Sequence, residues 1–262
     1  MNASLLAQPL YPISGFVVGV LVGMTGVGGG SLMTPLLILL FNIHPVAAVG
    51  TDLLYAAATK TGGSLIHGLA RTIDWKIVGR LAAGSIPATA ICLIVLSRFD
   101  LGGGAAHALI TTALGISLYL TALVLIFRRR ILASYAARFG DLSPARTTSL
   151  TILVGAVLGV LVSISSVGAG AMGVTALILL YPKLPAARIV GTDIAHAVPL
   201  TLVGGMGYWM LGSVDWHLLG SLLIGSIPGI VVGSYLATRV PEPVLRVVLS
   251  ATLIVVATRL LI

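Results

Sequence analysis

Eight apolar runs, at about 13–42, 46–70, 76–97, 105–127, 148–180, 186–210, 217–238 and 243–262, leave little of the 262-residue chain outside them. A helix needs about 20 apolar residues to cross the hydrocarbon core of a bilayer, so the pattern commits the chain to an all-α integral membrane protein. Only 8% of residues are charged, against about a quarter in a soluble domain, which excludes a water-soluble globule. Disorder needs few apolar residues and is excluded too. A membrane β-barrel would alternate in polarity along its strands, and these runs do not. The 32 glycines predict a packed bundle with some broken backbone.

The eight runs are four runs written twice. Gly50-Thr51-Asp52 recurs as Gly191-Thr192-Asp193, Asp74-Trp75 as Asp215-Trp216, and Gly84-Ser85-Ile86-Pro87 as Gly225-Ser226-Ile227-Pro228, all at an offset of 141. Val27-Gly28 recurs as Val167-Gly168 at 140, so one residue is inserted between. Unrelated helices do not keep polar landmarks in register over such a length. The sequence therefore divides into a first membrane repeat over 1–127, a basic linker over 128–147 and a second repeat over 148–262. Internal duplication is a common construction of secondary transporters.

Charge decides how the repeats are oriented. If every run crosses the membrane, basic residues split nine to five between the two sides. If the first run of each repeat instead enters and leaves on one side, the split becomes twelve to two, with Lys60 alone inside the membrane. Basic residues concentrate on the cytoplasmic side, which favours the second arrangement. It predicts two inverted repeats, each with one re-entrant helical hairpin and three spans, a cytoplasmic linker and both termini outside. The hairpin legs 13–24 and 31–42 have about 12 residues, roughly 18 Å of helix. The alternative is a broken but spanning first helix. Residues 13–24 do not resemble a cleavable signal peptide, since no Lys or Arg precedes Lys60.

Each hairpin has a turn rich in small residues: Gly26 to Gly30 in the first half and Ser163 to Gly170 in the second. Glycine-rich backbone at membrane depth is tolerated where it lines a cavity or is covered by protein. There its amides are free to face a ligand, and the following helix begins with unpaired N–H groups and a partial positive charge. Two such turns meeting near the midplane would suit a small anion. The candidate binding groups are Thr25, Gly28, Gly29, Gly30, Ser31, Ser165, Ser166, Gly168 and Gly170. The competing explanation is close helix packing by small residues.

Charges inside the runs are the second signal. Asp52 and Lys60 share the second run, and Asp193 occupies the matching position in the sixth. Ionisable residues at membrane depth usually mark a pathway or a proton relay. Asp52 and Lys60 are eight residues apart, about 12 Å along a helix, too far for direct pairing. His196 follows Asp193 by three, which allows direct contact. Asp52, Lys60, Asp193 and His196 are the candidates for proton coupling or gating. The competing explanation places both aspartates near the membrane surface, as local caps.

The formal net charge is +8, but its basic residues lie mostly between apolar runs. That is a topology signal with contacts to membrane lipids, not a nucleic-acid surface. Cys92 is the one cysteine, so no intramolecular disulfide and no cysteine zinc site can form. No metalloprotease, nucleophile-elbow or phosphate-loop motif is present, and neither metal nor cofactor is expected. An intramembrane aspartate-dependent enzyme or a scaffold subunit is the rival to a transporter.

Gly26-Val27-Gly28-Gly29-Gly30, Pro35, Gly50-Thr51-Asp52 and Gly68 with Asp74-Trp75, partly repeated in the second half, resemble the TauE/SafE family of sulfite exporters, also called the toluene sulfonate uptake permease family. The resemblance covers about 13–260. It implies a two-repeat carrier of small sulfur-containing anions such as sulfite, sulfonates or thiosulfate, in a bacterial inner membrane and coupled to protons. Uptake of organosulfonates or other organic acids is the alternative direction. Asp52 and Asp193 stand where the family pattern often has serine, and Lys60 is a further departure. A homo-oligomer is compatible with this reading.

Overall fold

The computed structural model describes residues 10–25, 30–99, 103–138, 143–168, 170–237 and 242–262. They form ten helices and no strands: α1 (Leu10–Thr25), α2 (Gly30–Leu39), α3 (Pro45–Leu69), α4 (Trp75–Leu96), α5 (Gly104–Arg138), α6 (Pro144–Ser165), α7 (Ala171–Leu180), α8 (Ala186–Met210), α9 (Trp216–Ala237) and α10 (Glu242–Leu261). Helices satisfy their own backbone hydrogen bonds, as lipid requires. Among the described residues, stretches in α4, α5, α6, α8 and α9 are long and apolar enough to cross a membrane. α3 is as long as α8, 25 residues each, but Asp52, Lys60 and the polar stretch 59–64 lower its hydropathy.

The duplication in sequence is a duplication in structure. α3 and α8 begin 141 residues apart, as do α4 and α9, and the members of each pair have equal length. The halves do not pack as separate blocks. α1 lies along α9, α4 along α6, α3 along α8 and α5 along α10, so each of these contacts joins one half to the other.

Glycines make the first two seams possible. A Cβ on Gly84 would lie 1.9 Å from the Ile152 carbonyl oxygen, and one on Gly225 would lie 1.8 Å from that of Pro12. Pro12 and Ile152 are repeat equivalents, so the two seams are copies. Contacts also give the helix directions. Gly155 meets Leu81 and Gly159 meets Ser85, so α4 and α6 run parallel. Gly50 meets Tyr208, Gly204 meets Leu53 and Gly63 meets Ile194, so α3 and α8 run antiparallel. α5 and α10 also run antiparallel: Gly115 meets Leu261, and Tyr119 Oη lies 2.5 Å from Thr258 Oγ1.

Each first run folds back on itself. Tyr11 and Phe41 meet edge to face with ring centroids 4.8 Å apart, tying the start of α1 to the segment after α2. Their equivalents at offset 140, Thr151 and Tyr181, are joined by a 2.8 Å hydroxyl hydrogen bond, and Arg80 Nη1 donates to Tyr181 Oη at 3.2 Å. In the first half α1 has 16 residues and α2 has 10, against the two legs of about 12 expected there; the second half is more unequal. α6 has 22 residues and α7 has 10, about 33 Å and 15 Å of helix. The long leg starts early because Ser143 accepts from Arg146 N and Pro144 fills the first helical position. The hydroxyls of Thr147 and Thr148 then donate to the carbonyls of Ser143 and Pro144, one turn earlier. The linker also proves largely helical, since α5 continues to Arg138.

A latch is repeated across the interface of the halves. Asp74 N donates to Thr192 Oγ1 at 3.0 Å, and Asp215 N donates to Thr51 Oγ1 at 3.1 Å. The same aspartates cap α4 and α9: Asp74 Oδ1 accepts from Lys76 N and Ile77 N, Asp215 Oδ1 from Leu218 N. Asp74 is further paired with Arg188 at 3.4 Å. Thr51→Val and Thr192→Val each keep side-chain volume and remove the latch hydrogen bond, worth about 1 kcal/mol; Thr192→Val also removes the bond that Thr192 Oγ1 donates to Arg188 O at 2.6 Å. Each is expected to lower the midpoint of thermal unfolding in detergent by roughly 2–4 °C, and the double variant by about the sum.

Candidate functional site

α3 and α8 form the central antiparallel pair, and they bring Asp52 and Asp193 into the interior, at 0% and 2% exposure. Neither is a surface cap. Thr34 Oγ1, on α2, donates to Asp52 Oδ2 at 2.5 Å. Ser166, in the turn after α6, is also close to this carboxylate. Asp193 is approached by α7, where a Cβ on Gly173 would meet its Oδ1 at 2.1 Å. Each carboxylate thus faces the short returning leg of its own hairpin. Oδ1 of both aspartates is buried without a hydrogen-bond partner.

Lys60 is within electrostatic reach of both, Asp193 more strongly than Asp52, yet among the described residues it makes no direct ion pair. It lines a half-open cavity of about 560 Å³ together with Asp193, Gly23 from α1, Gly170 from the second turn, His67, and aliphatic residues of α9. The structure therefore brings the one intramembrane cation, one carboxylate and parts of both hairpins to one space.

His196 sits at 0% exposure, but the contact with Asp193 that its spacing allows is not formed. Its Nε2 lies 2.9 Å from Ser85 Oγ on α4, and its Nδ1 has no partner. The packing of α4 against α8 places Ser85 where the ring points. Tyr55, the equivalent of His196, makes the equivalent contact in the other half, its Oη 2.5 Å from Ser226 Oγ on α9. Two polar contacts, both related by the repeat, thus flank the carboxylates.

The second turn is well defined. Ser166 has φ 57° and Gly168 φ 113°, left-handed backbone that suits glycine and strains other residues. Ser165 does not present a free hydroxyl: it donates to Leu161 O at 2.7 Å and accepts from Val167 N at 3.2 Å. Ser166 Oγ is buried with no partner. Gly170 precedes the N-terminus of α7. In the first half Gly28 and Gly29 lie outside the described residues, as do the side chains of Thr25 and Ser31, while Gly30 begins α2. Thr34, Tyr55, Ser85, Ser226 and Gly173 join the site without having been expected there. Ser85 and Ser226 belong to the repeated Gly-Ser-Ile-Pro motif, which was a readable sign.

Buried ionisable side chains around a cavity, between helical hairpins of a duplicated bundle, define the class of membrane transporters. The sequence profile of the sulfite exporter TauE/SafE family matches residues 11–260, and the chain belongs to that family. It is 40% identical over 250 residues to the probable membrane transporter protein YjnA of Bacillus subtilis, covering 95% of this chain and 98% of that one. It is 29% identical to the probable membrane transporter protein YdhB of the same species, over 88% and 91% of the two chains. It is 26% identical to the probable membrane transporter protein MJ0441 of Methanocaldococcus jannaschii, over 95% and 93%. No solved structure matches the chain.

Proposed function

We propose that this protein is a secondary transporter of the bacterial inner membrane that exports small sulfur-containing anions such as sulfite, coupled to protons. The observation that carries the reading is the charge inventory: Asp193 and Lys60 line one cavity, and a second buried carboxylate, Asp52, lies within electrostatic reach of the same lysine. Fully ionised, these groups already sum to one negative charge. An anion arriving in a low-dielectric site raises that imbalance, which is costly unless a carboxylate takes up a proton. Protonation and anion binding therefore favour each other, and the proton travels with the anion, outward when the anion's own outward gradient exceeds the inward proton gradient.

The anion binds between the hairpin turns. Ser166 Oγ and the free amides at the start of α7, after Gly168 and Gly170, supply donors on one side. Thr25, Gly28, Gly29, Gly30 and Ser31 supply them on the other. Ser165 holds the turn in shape. The two halves form inverted repeats, a reading supported by the antiparallel course of α3 against α8 and of α5 against α10. In that arrangement the first hairpin starts and ends on the outer side and the second on the cytoplasmic side. Alternating access comes from the halves rocking about this site.

A second reading, uptake of organosulfonates, is favoured by the cavity itself. Its volume of about 560 Å³ and its lining of Leu223, Ile227, Ile230 and Val231 offer room for an apolar tail beyond a sulfur oxyanion head. The same proton coupling would drive uptake when the outside is acidic. Proteoliposomes separate the two readings. Export of sulfite predicts protein-dependent sulfite flux that ethanesulfonate inhibits weakly; the second reading predicts the reverse preference. Flux of neither, nor of thiosulfate, would sink the proposal. Lys60→Ala removes the one intramembrane cation and is expected to raise the half-saturating sulfite concentration about tenfold or more, the factor that corresponds to about 1.4 kcal/mol. Unchanged transport and unchanged pH dependence in that variant would remove Lys60 from the mechanism.

A further inference from the structure

The repeat allows each wall of the cavity to be matched with its equivalent in the other half. Gly23 corresponds to Ser163, Thr59 to Leu200, Lys60 to Thr201, His67 to Tyr208 and Asp193 to Asp52. The space these equivalents would enclose is filled. Ser163, Leu200 and Thr201 are each 1% exposed, and Tyr208 and Asp52 are fully buried. Tyr208 packs with Leu53, Leu93, Leu200 and Val162 in one apolar cluster. Its Oη donates to Ser163 O, in the last turn of α6, at 2.9 Å. That bond ties the end of α8 to the second hairpin.

On the open side the equivalent bond is missing. His67 Nδ1 lies 2.8 Å from Thr72 Oγ1, and Gly23, the equivalent of Ser163, lines the cavity with His67. The two gates share one backbone setting. Gly50 makes room for Tyr208, and its equivalent Gly191 makes room for His67.

We propose that Tyr208 is the gate that holds the second access path shut in this state, and that His67 is its counterpart, closing the first path against Gly23 in the opposite state. This inference rests on the transporter reading and adds the residues that switch access. The open cavity runs from Asp193 to His67, toward the face that carries Arg71, Lys76 and Arg188. The structure is then the inward-open state, and Tyr208 is the outer gate. Breaking the Tyr208 bond shifts the population outward, and breaking the His67 gate shifts it inward.

Cysteine accessibility tests this without any substrate. In a Cys92→Ser background, Thr201→Cys reports on the closed path and Ala58→Cys on the open one. Each is treated with a membrane-impermeant maleimide from its own side. Tyr208→Phe keeps the ring and loses one hydrogen bond, so outside labelling of Thr201→Cys is expected to quicken about 2- to 10-fold. Tyr208→Ala should quicken it further, while inside labelling of Ala58→Cys falls. His67→Ala should act in the opposite sense and slow outside labelling of Thr201→Cys. Opposite signs are not produced by general loosening of the fold. Equal Thr201→Cys labelling with and without Tyr208, or a change of the same sign in both gate variants, would overturn the proposal. A failed sulfite assay leaves these rates unaffected, so the gate and the substrate reading fail separately.

Discussion

Asp193→Asn is expected to abolish proton-gradient-driven flux while leaving the protein folded and inserted. The amide has the carboxylate's shape and fits beside Gly173, where a larger group would not. What it lacks is a titratable proton and a negative charge. Without the charge, Lys60 loses the carboxylate that lines the cavity with it and the site no longer needs a proton to accept an anion. Gradient-driven flux should therefore fall at least about 30-fold, equivalent to about 2 kcal/mol. Sulfite-for-sulfite exchange, which moves no net proton, should persist and saturate at lower concentration. Asp52→Asn should also lose gradient response, with a smaller effect on affinity, because Thr34 already satisfies one oxygen and Asp52 does not line the cavity. Measuring driven flux and exchange on the same vesicles separates the two roles. Gradient-driven flux within twofold of wild type in both variants would make the aspartates structural.

The second large effect concerns stability. Gly84→Ala and Gly225→Ala add one methyl each at the two seams where helices touch through their backbones. At 1.9 Å and 1.8 Å from a carbonyl oxygen, that methyl cannot be accommodated by rotating a side chain. The helices must separate along their length. Overpacking of this kind costs about 3 kcal/mol or more, so the unfolding midpoint in detergent should fall by roughly 6–12 °C. Gly79 and Gly220 provide the control, since a Cβ on either meets nothing within 4 Å. They lie on the same two helices and are themselves repeat equivalents. Gly79→Ala and Gly220→Ala should be neutral or slightly stabilising, because alanine is the better helix former. Equal losses at all four positions would show that the seams are not where the structure puts them.

Much of this architecture was legible in the residues. Polar landmarks kept in register reveal the duplication, and the distribution of arginine and lysine suggests that the first run of each half turns back. The fold-back appears in the structure as the Tyr11–Phe41 and Thr151–Tyr181 contacts. Asp52 and Asp193 were identifiable because charge inside an apolar run is rare. Other features had no one-dimensional signature. The glycines of α4 and α9 announce a close neighbour without naming it, so the exchange of α1 and α6 between halves was not readable. Periodicity puts His196 on the face of Asp193, but only the approach of α4 decides that the ring turns to Ser85. The unequal hairpin legs follow from the Ser143 cap, which extends α6 beyond its apolar run. Tyr208 is one aromatic among many until its equivalence with His67 is set beside the two different contacts they make.

The most direct test of proton-coupled transport uses proteoliposomes loaded with sulfite at a concentration below that outside, with the membrane potential clamped at zero. An acidic interior is then imposed, and protein-free vesicles give the baseline. If the proton travels with the anion, sulfite leaves the vesicles against its own gradient, the interior becomes more alkaline, and a protonophore stops both. Sulfite movement that follows only its own concentration gradient, whatever the pH difference, would contradict the account.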